Sequence, residues 1–311
     1  MEAIKQLFWS SRPVSWINTA YPFAIAYWLA SGDAGANLWI GTLFFLIPYN
    51  LLMYGINDVF DYESDLRNPR KGGIEGALLD PRWHRLTVNA AVLACVPFVA
   101  YLTIAGTSAS TSWLYLFLFT VIAYSAKGLR FKEKPFLDSL TSSSHFVGPM
   151  IFGLSLAGAN LGEPKLLAMV LAFTLWGIAS HAFGAVQDVQ ADREGGISSI
   201  ATVIGARATV RFAFVAYLAA GLLVLNAGWP GALSAIAAIP YLLIVGPFWN
   251  ITDETCEDAN RGWKKFIWLN FFAGFVVSFD IFISSFSKII PNACFAWNHI
   301  GLVTSIHYYI M

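Results

Sequence analysis

Asn57-Asp58-Val59-Phe60-Asp61-Tyr62-Glu63-Ser64-Asp65 follows an apolar run, residues 39–56, that is long enough to cross a membrane. Carboxylates at such a position are costly unless a partner compensates for their charge. Asp61 lies four positions after Asn57 and four before Asp65, and Asp58 lies three before Asp61. A continuing helix would therefore place these groups on one face. Carboxylates gathered there repel unless a cation lies among them, and ligation by oxygen alone suits Mg²⁺.

A second acidic stretch, Gln187-Asp188-Val189-Gln190-Ala191-Asp192, ends another apolar run, residues 166–186. Asp188 and Asp192 are again four positions apart. Two acidic helix ends that face each other would hold two or three Mg²⁺ ions and a diphosphate between them. The residues before the two stretches are weakly alike, since Gly55-Ile56-Asn57-Asp58-Val59 is similar to residues 184–189 with one residue inserted. This similarity indicates an internal duplication.

The composition is that of a membrane protein. Hydrophobic residues make up 57% of the chain and charged residues 12%, whereas soluble domains carry about 25% charged residues. The fold class is therefore all-α, a polytopic membrane protein of about nine transmembrane helices. The predicted spans are 14–31, 38–57, 86–105, 112–126, 139–159, 166–187, 208–227, 231–249 and 266–288. The net charge is zero, so nothing indicates a nucleic-acid partner.

The basic residues predict the orientation. Of the 19 lysines and arginines, only Lys165 and Lys288 fall on one side of the nine-span arrangement, and all others fall on the other. Basic residues concentrate in cytoplasmic loops, so the N-terminus and both acidic stretches are expected on the cytoplasmic face of a cell membrane.

The chain resembles the UbiA-type intramembrane prenyltransferases. Their first motif reads N-D-x-x-D-x-x-x-D and their second D-x-x-x-D, and residues 57–65 and 188–192 meet both without a mismatch. The resemblance covers about residues 10–285 and implies a single domain over 1–311, with helices bundled around an apolar cavity. The tail, residues 289–311, stays unassigned.

The resemblance implies roles for the motif residues and for basic residues near them. The metal ligands would be Asn57, Asp58, Asp61, Asp65, Asp188 and Asp192, with two or three Mg²⁺ ions as cofactors. The diphosphate would contact Arg12, Asn18, Arg67, Lys71, Tyr124, Lys127, Arg130 and Lys132, and Lys127 would stabilise the leaving group. The plainer alternatives are acidic caps on solvated helix ends and a basic loop that reflects topology alone.

Three stretches resemble the lycopene elongase branch of this family: residues 65–76, 129–139 and 180–188. That resemblance implies dimethylallyl diphosphate as donor and lycopene as the lipophilic acceptor, in carotenoid biosynthesis within the lipid bilayer. Two alternatives stay open: a UbiA-type enzyme with an aromatic acceptor, such as a quinone, haem or chlorophyll precursor, and, more distantly, a cation transporter.

Polar side chains within the predicted spans are few. His145, His181 and Asn50 are the main exceptions near the cytoplasmic side. A single membrane histidine more often packs and hydrogen-bonds than it catalyses, and water binding or proton transfer is the functional alternative.

Overall fold

A computed structural model describes residues 2–66 and 78–289, without the side chains of Ser64, Asp65, Ile267 and residues 284–289. The described part is helical, with no strand among these residues. In the first half the α-helices are α1 (Glu2–Ser10), α2 (Ile17–Ser31), α3 (Ala36–Leu46), α4 (Pro48–Phe60), α5 (Tyr62–Asp65), α6 (His84–Ala105) and α7 (Ser108–Ser125). The second half has α8 (Leu137–Leu156), α9 (Pro164–Val186), α10 (Val189–Glu194), α11 (Ile200–Ile204), α12 (Ala206–Val224), α13 (Ala238–Val245), α14 (Asn260–Trp263) and α15 (Phe266–Ile289).

Helical segments occupy every predicted span, and the all-α membrane class is confirmed. Five segments of the described chain are long and apolar enough to cross a membrane: Ala36–Phe60, Pro81–Ala105, Pro164–Val186, Ala206–Ala227 and Gly231–Phe248. A bent pair, Asp253–Trp263 with Trp268–Ile283, makes a sixth if it counts as one span. The total of nine spans stays a prediction.

The second predicted span is broken near its middle. α3 ends at Leu46 and α4 begins at Pro48, because proline has no N–H to donate and disrupts the preceding turn. Asn50 satisfies the carbonyls that this break releases, since its amide donates to the carbonyls of Phe45 (2.8 Å) and Leu46 (3.1 Å). The same amide donates to the Thr19 hydroxyl on α2 at 2.7 Å. The Asn50 amide nitrogen therefore has a structural role, and the interpretation of Asn50 as a water or proton-transfer residue stays a prediction.

Two buried clusters form the core. The first gathers large side chains of α2, α3, α4, α6 and α7, such as Phe23, Phe44 and Tyr49. The second gathers side chains of α9, α12, α13 and α15, such as Phe183, Tyr217 and Phe266. The helix α8 contacts α2 and α7 of the first set and α9 of the second. This arrangement of two halves is what an internal duplication predicts.

The loops that were predicted to be cytoplasmic meet at one end of the bundle. Arg82, before α6, bonds Glu2 of α1 at 2.9 Å, and Arg193, after the α9 break, bonds Asp253 at 2.6 Å. Asp253 also accepts the backbone N–H of Ala206 at the start of α12. Two contacts hold the pKa of the Asp253 carboxyl below its usual value. The hydrogen bond from this N–H has the largest single effect, and the pair with Arg193 adds to it. Both acidic motifs lie at the helix ends joined by these loops.

Candidate active site

The first acidic motif lies where a membrane helix breaks. α4 ends at Phe60, and Asp61 has φ −100° and ψ 0° before the four-residue α5 begins. The expectation of one continuing helix is therefore wrong. The turn buries the Asp61 carboxylate, which is 4% exposed and accepts the Asn57 amide at 2.6 Å. The Asn57 amide nitrogen also donates to Ser125 of α7 at 2.9 Å, so its carbonyl oxygen is the atom that would ligate a metal.

Asp58 is paired with an arginine from the segment before α2. Its carboxylate is fully buried and lies 3.0 Å from the Arg12 guanidinium. That guanidinium also lies over the Tyr54 ring, 4.3 Å from its centre. A buried carboxylate without such a partner would cost several kcal/mol, on the order of the desolvation penalty of one ion. Arg12 itself has a left-handed backbone, with φ 49°.

The loop between α7 and α8 places two cations beside Asp61. A short 3₁₀ turn, Phe131–Glu133, brings the Lys132 ammonium into contact with the Asp61 carboxylate. The Arg130 guanidinium lies 3.7 Å from the same carboxylate and bonds Glu133. Its hydrogen bond lowers the pKa of the Glu133 carboxyl. The first motif is therefore a set of buried carboxylates opposed by cations from two other segments.

The second motif has the same local construction. α9 ends at Val186, Gln187 and Asp188 form the turn, and Asp188 has φ −100° and ψ 0° before α10 begins. The Gln187 side chain donates to the Gly184 carbonyl at 2.9 Å and accepts a hydrogen bond from Asn260 of α14. Asp188 and Asp192 are half-buried, and the Asp192 N–H donates to the Asp188 carbonyl at 2.8 Å.

A polar layer lies next to the motifs on the side of the membrane spans. Tyr124 precedes Ser125 in α7, and its ring contacts the imidazoles of His145 and His181 edge-on, with ring centres 5.0 and 6.4 Å apart. The His181 Nε2 atom lies 3.6 Å from a carboxylate oxygen of Asp138, which is fully buried in the first turn of α8. Sequence reasoning assigned no role to Asp138, although an acidic residue at the start of an apolar span was a signal for one.

Asp188 and Asp192 lie at the second break and Tyr124 lies in the polar layer, and the other predicted site residues divide into three groups. The structure brings together Arg12, Asn57, Asp58, Asp61, Arg130 and Lys132. Lys127 is exposed, and Asn18 is half-buried in the first turn of α2. Arg67 and Lys71 lie outside the described residues, as does the side chain of Asp65.

Magnesium is compatible with the donor atoms of both motifs. No three His, Cys, Asp or Glu side chains in the described part of the chain converge on one point. Mg²⁺ does not need such a cluster, because it keeps several waters and binds through one or two carboxylates together with substrate phosphates. Two surface pockets, beside Arg211 and beside Lys265, contain none of the motif residues.

A protein-family model described as the UbiA prenyltransferase family matches residues 19–275. This chain belongs to that family. The matched range contains both motifs and Tyr124, whereas Arg12 and Asn18 precede it. Membership in a family of prenyltransferases is evidence against the transporter alternative, and it confirms the resemblance that the motifs carried.

Curated relatives cover nearly all of this UbiA-family chain. The "Lycopene elongase/hydratase" of Corynebacterium glutamicum is 52% identical over 278 residues, which are 89% of this chain and 96% of the relative. The "C(50) beta-cyclic carotenoids biosynthesis protein LbtBC" of Dietzia sp. strain CQ4 is 58% identical over 273 residues, or 88% of this chain. The chain spans only 63% of that second relative's length.

A solved UbiA homologue has the same fold. The structure of a UbiA homologue from Archaeoglobus fulgidus bound to DMAPP and Mg²⁺ matches with a TM-score of 0.61 and 20% identity. The match covers 88% of this chain and 99% of that one. The helical membrane bundle predicted from composition is therefore the fold of this UbiA-family member.

Proposed function

We propose that this UbiA-family protein transfers a dimethylallyl group from dimethylallyl diphosphate to the ends of lycopene, in carotenoid biosynthesis. The observation that carries the proposal is the burial of Asp58 and Asp61 at a membrane helix end, each against a cation from another segment. Two relatives that cover most of the chain bear names from carotenoid elongation, and a homologue of the same fold binds this donor with Mg²⁺.

The two motifs would hold two or three Mg²⁺ ions. Their ligands would be the oxygens of Asn57, Asp58, Asp61 and Asp65 in the first motif and of Asp188 and Asp192 in the second. When bound, Mg²⁺ neutralises the diphosphate and stabilises the charge that develops when it leaves. The break at Asp61 separates Asp58, near the end of α4, from the short helix α5, and the break at Asp188 precedes Asp192 of α10.

The cations of the site would bind the diphosphate oxygens. Lys132 and Arg130 lie beside Asp61 and Arg12 lies beside Asp58, so a diphosphate ligated near these carboxylates comes within their reach. Electrostatic groups held in place before the reaction stabilise the developing oxyanion without reorganisation. The exposed Lys127, together with Arg67, Lys71, Asn18 and Tyr124, would complete this set.

Aromatic side chains and burial would protect the allylic cation. The carbon–oxygen bond breaks with its electron pair on the diphosphate, and the resulting cation reacts with water unless the site excludes it. The ring of Tyr124 lies on the membrane side of the first motif, next to Ser125, which bonds Asn57. An aromatic face stabilises a nearby cation by about 0.5–2 kcal/mol. The acceptor's carbon–carbon double bond then supplies the electron pair for the new bond.

The site would open to the cytoplasm. The segments that precede α2, α6, α8, α12 and α15, together with the first two turns of these helices, carry 17 of the 19 lysines and arginines. The described contacts join these segments at the motif end of the bundle. A water-soluble diphosphate would enter from this end, whereas a long apolar acceptor would enter from the bilayer.

Competition between acceptors tests the function. Membranes that contain the protein receive labelled dimethylallyl diphosphate, lycopene and 4-hydroxybenzoate together with Mg²⁺. We expect label in pigments of forty-five and fifty carbons and none in prenylated benzoate. Label in prenylated benzoate alone would leave the family assignment intact and replace the carotenoid acceptor with an aromatic one.

A further inference from the structure

Asp138 is a buried carboxylate that the metal and diphosphate roles do not use. It lies in the first turn of α8 with no exposed surface, and its two oxygens accept the backbone N–H groups of Ile200 (2.8 Å) and Ser139 (2.7 Å). Two such hydrogen bonds favour the ionised carboxylate. The segment after the second motif therefore folds back onto α8, where the N–H of Ile200 stabilises the negative charge of Asp138.

This charge faces one imidazole. The His181 Nε2 atom lies 3.6 Å from the Asp138 oxygen that Ile200 also contacts. A carboxylate beside one ring nitrogen favours a proton there and leaves the other nitrogen as an acceptor. The Asp138 carboxylate also compensates for the positive charge that His181 gains when it takes a second proton. His181 is 18% exposed, so its ring is not sealed in the core.

The pair is linked to the elements that carry both motifs. His181 precedes Asp188 by seven residues on α9, which is about two turns or 10 Å along the helix. On its other side is the Tyr124 ring, whose neighbour Ser125 bonds Asn57 of the first motif. The imidazole is therefore on the membrane side of the carboxylates, where an acceptor's reacting end would meet the donor.

The proposed reaction releases one proton that needs an acceptor. When the double bond of lycopene attacks the allylic carbon, a tertiary carbocation remains on the acceptor. Either a water lone pair forms a carbon–oxygen bond to it and the water loses a proton, or a neighbouring carbon loses a proton and its C–H electron pair forms a double bond. Both endings release one proton and need no oxidant or reductant.

His145 is less suited to take this proton. Its imidazole bonds the Thr120 carbonyl, and its Nε2 atom is buried with no hydrogen-bond partner among the described residues. No carboxylate pairs with it in the described part of the chain, so a protonated His145 would be a buried cation without compensation. His181 has that compensation in Asp138.

We propose that His181, oriented and charge-balanced by Asp138, accepts the proton released when the carbocation on the acceptor is quenched. His181 is the group that meets the substrate, and Asp138 is a positioning residue. This inference rests on the proposed transfer to lycopene, and it assigns the step that ends that transfer.

The test separates donor ionisation from product formation. Membranes with His181→Ala receive labelled dimethylallyl diphosphate, Mg²⁺ and lycopene, and both diphosphate release and labelled pigment are measured. We expect diphosphate release within about threefold of the unaltered protein, pigment lowered at least about tenfold, and recovery of pigment when free imidazole is added. Asp138→Asn should lower pigment in the same direction. Thr174→Ala is the control, because Thr174 lies two turns earlier on α9 and, within the described part of the chain, its hydroxyl donates to the Val170 carbonyl of its own helix.

The outcomes distinguish this inference from the proposed function. If the unaltered protein makes no prenylated lycopene, the proposed function fails first. If it does, and His181→Ala makes as much pigment per diphosphate released, His181 is not the proton acceptor. A parallel loss of diphosphate release and pigment that imidazole does not restore would also overturn the inference, since it would indicate a role in ionisation or folding.

Discussion

Asp61 and Asp188 have the same backbone conformation, φ −100° and ψ 0°, and each lies where a long membrane helix breaks before a short one. Superposing the breaks pairs Asp61 with Asp188 and Asp65 with Asp192. This register differs from the one that the sequence similarity indicated, which paired Asp58 with Asp188. The feature that the two motifs share is therefore a broken helix end with two aspartates four positions apart.

The same register shows how the two motifs differ. Asn57 and Asp58 of the first motif correspond to Gly184 and Ala185 of the second. At these two positions the first motif therefore has a third carboxylate and an amide that the second motif lacks, and Arg12 pairs with that additional carboxylate. We infer that the two motifs hold the metal and diphosphate unequally, with more of the ligands on the first.

Removal of one motif carboxylate should abolish turnover. We expect Asp61→Ala and Asp192→Ala each to lower prenyl transfer by about a hundredfold or more, because pre-positioned charges supply several kcal/mol of transition-state stabilisation. Purified variants are assayed with saturating Mg²⁺, and their folding is checked by thermal unfolding in detergent. Asp258→Ala is the matched control, because Asp258 is an exposed carboxylate whose ion pair among the described residues is with Arg261, three positions later. Near-normal activity in either motif variant would contradict the metal assignment.

The loop between α7 and α8 offers two lysines with different surroundings. Lys132 contacts Asp61, whereas Lys134 packs on the Phe131 ring, with 5.0 Å between its ammonium and the ring centre. We expect Lys132→Ala to lower the rate about tenfold or more and to weaken donor binding, and Lys134→Ala to change either by less than about threefold. Steady-state kinetics with varied dimethylallyl diphosphate measure both effects. Equal losses in the two variants would mean that the loop acts through its net charge alone.

Asn50 should contribute to stability rather than to chemistry. Asn50→Ala removes one donor from each of two freed carbonyls and from the Thr19 hydroxyl. The Phe45 carbonyl keeps the Thr19 hydroxyl as a donor at 2.7 Å, and each buried acceptor that is left without a donor costs about 1–3 kcal/mol. We expect a lower thermal unfolding midpoint with catalysis per folded molecule largely retained. Asn226→Ala, which removes an exposed amide that bonds Leu223, should leave the midpoint nearly unchanged. An unaltered midpoint in Asn50→Ala would show that the break at Pro48 needs no such support.

Cysteine labelling tests the orientation. In a background without Cys95, Cys256 and Cys294, we expect Ser64→Cys to react with an impermeant reagent only from the cytoplasmic side. Ser108→Cys, at the start of α7, should react only from the opposite side, because basic loops stay in the cytoplasm. Labelling of both positions from one side would contradict the nine-span arrangement.

The helices were predictable because their signal is local. Long apolar runs bounded by glycine, proline and charge predicted every long segment to within a few residues, as for the span at 86–105 and α6 at His84–Ala105. The break at Asp61 was not predictable in this way, since residues 57–65 fit helical spacing and the Lys132 side chain that contacts Asp61 at the turn comes from a distant loop. The role of Asp138 was not predictable from the sequence, because its partners, Ile200 and His181, come close to it only when the chain folds.

Arg12 and Arg130 both have left-handed backbones, with φ 49° and 41°, and both contact carboxylates of the first motif. Such a conformation costs a side-chain-bearing residue on the order of 1–2 kcal/mol, and glycine adopts it without that strain. At position 12 the pair with the buried Asp58 carboxylate outweighs this strain, because that carboxylate without a cation would cost several kcal/mol. At position 130 the guanidinium is partly exposed and Asp61 keeps Lys132 as a partner. A screen for heat resistance alone would therefore select glycine at position 130, and the resulting proteins would melt later while losing a charge beside the donor site.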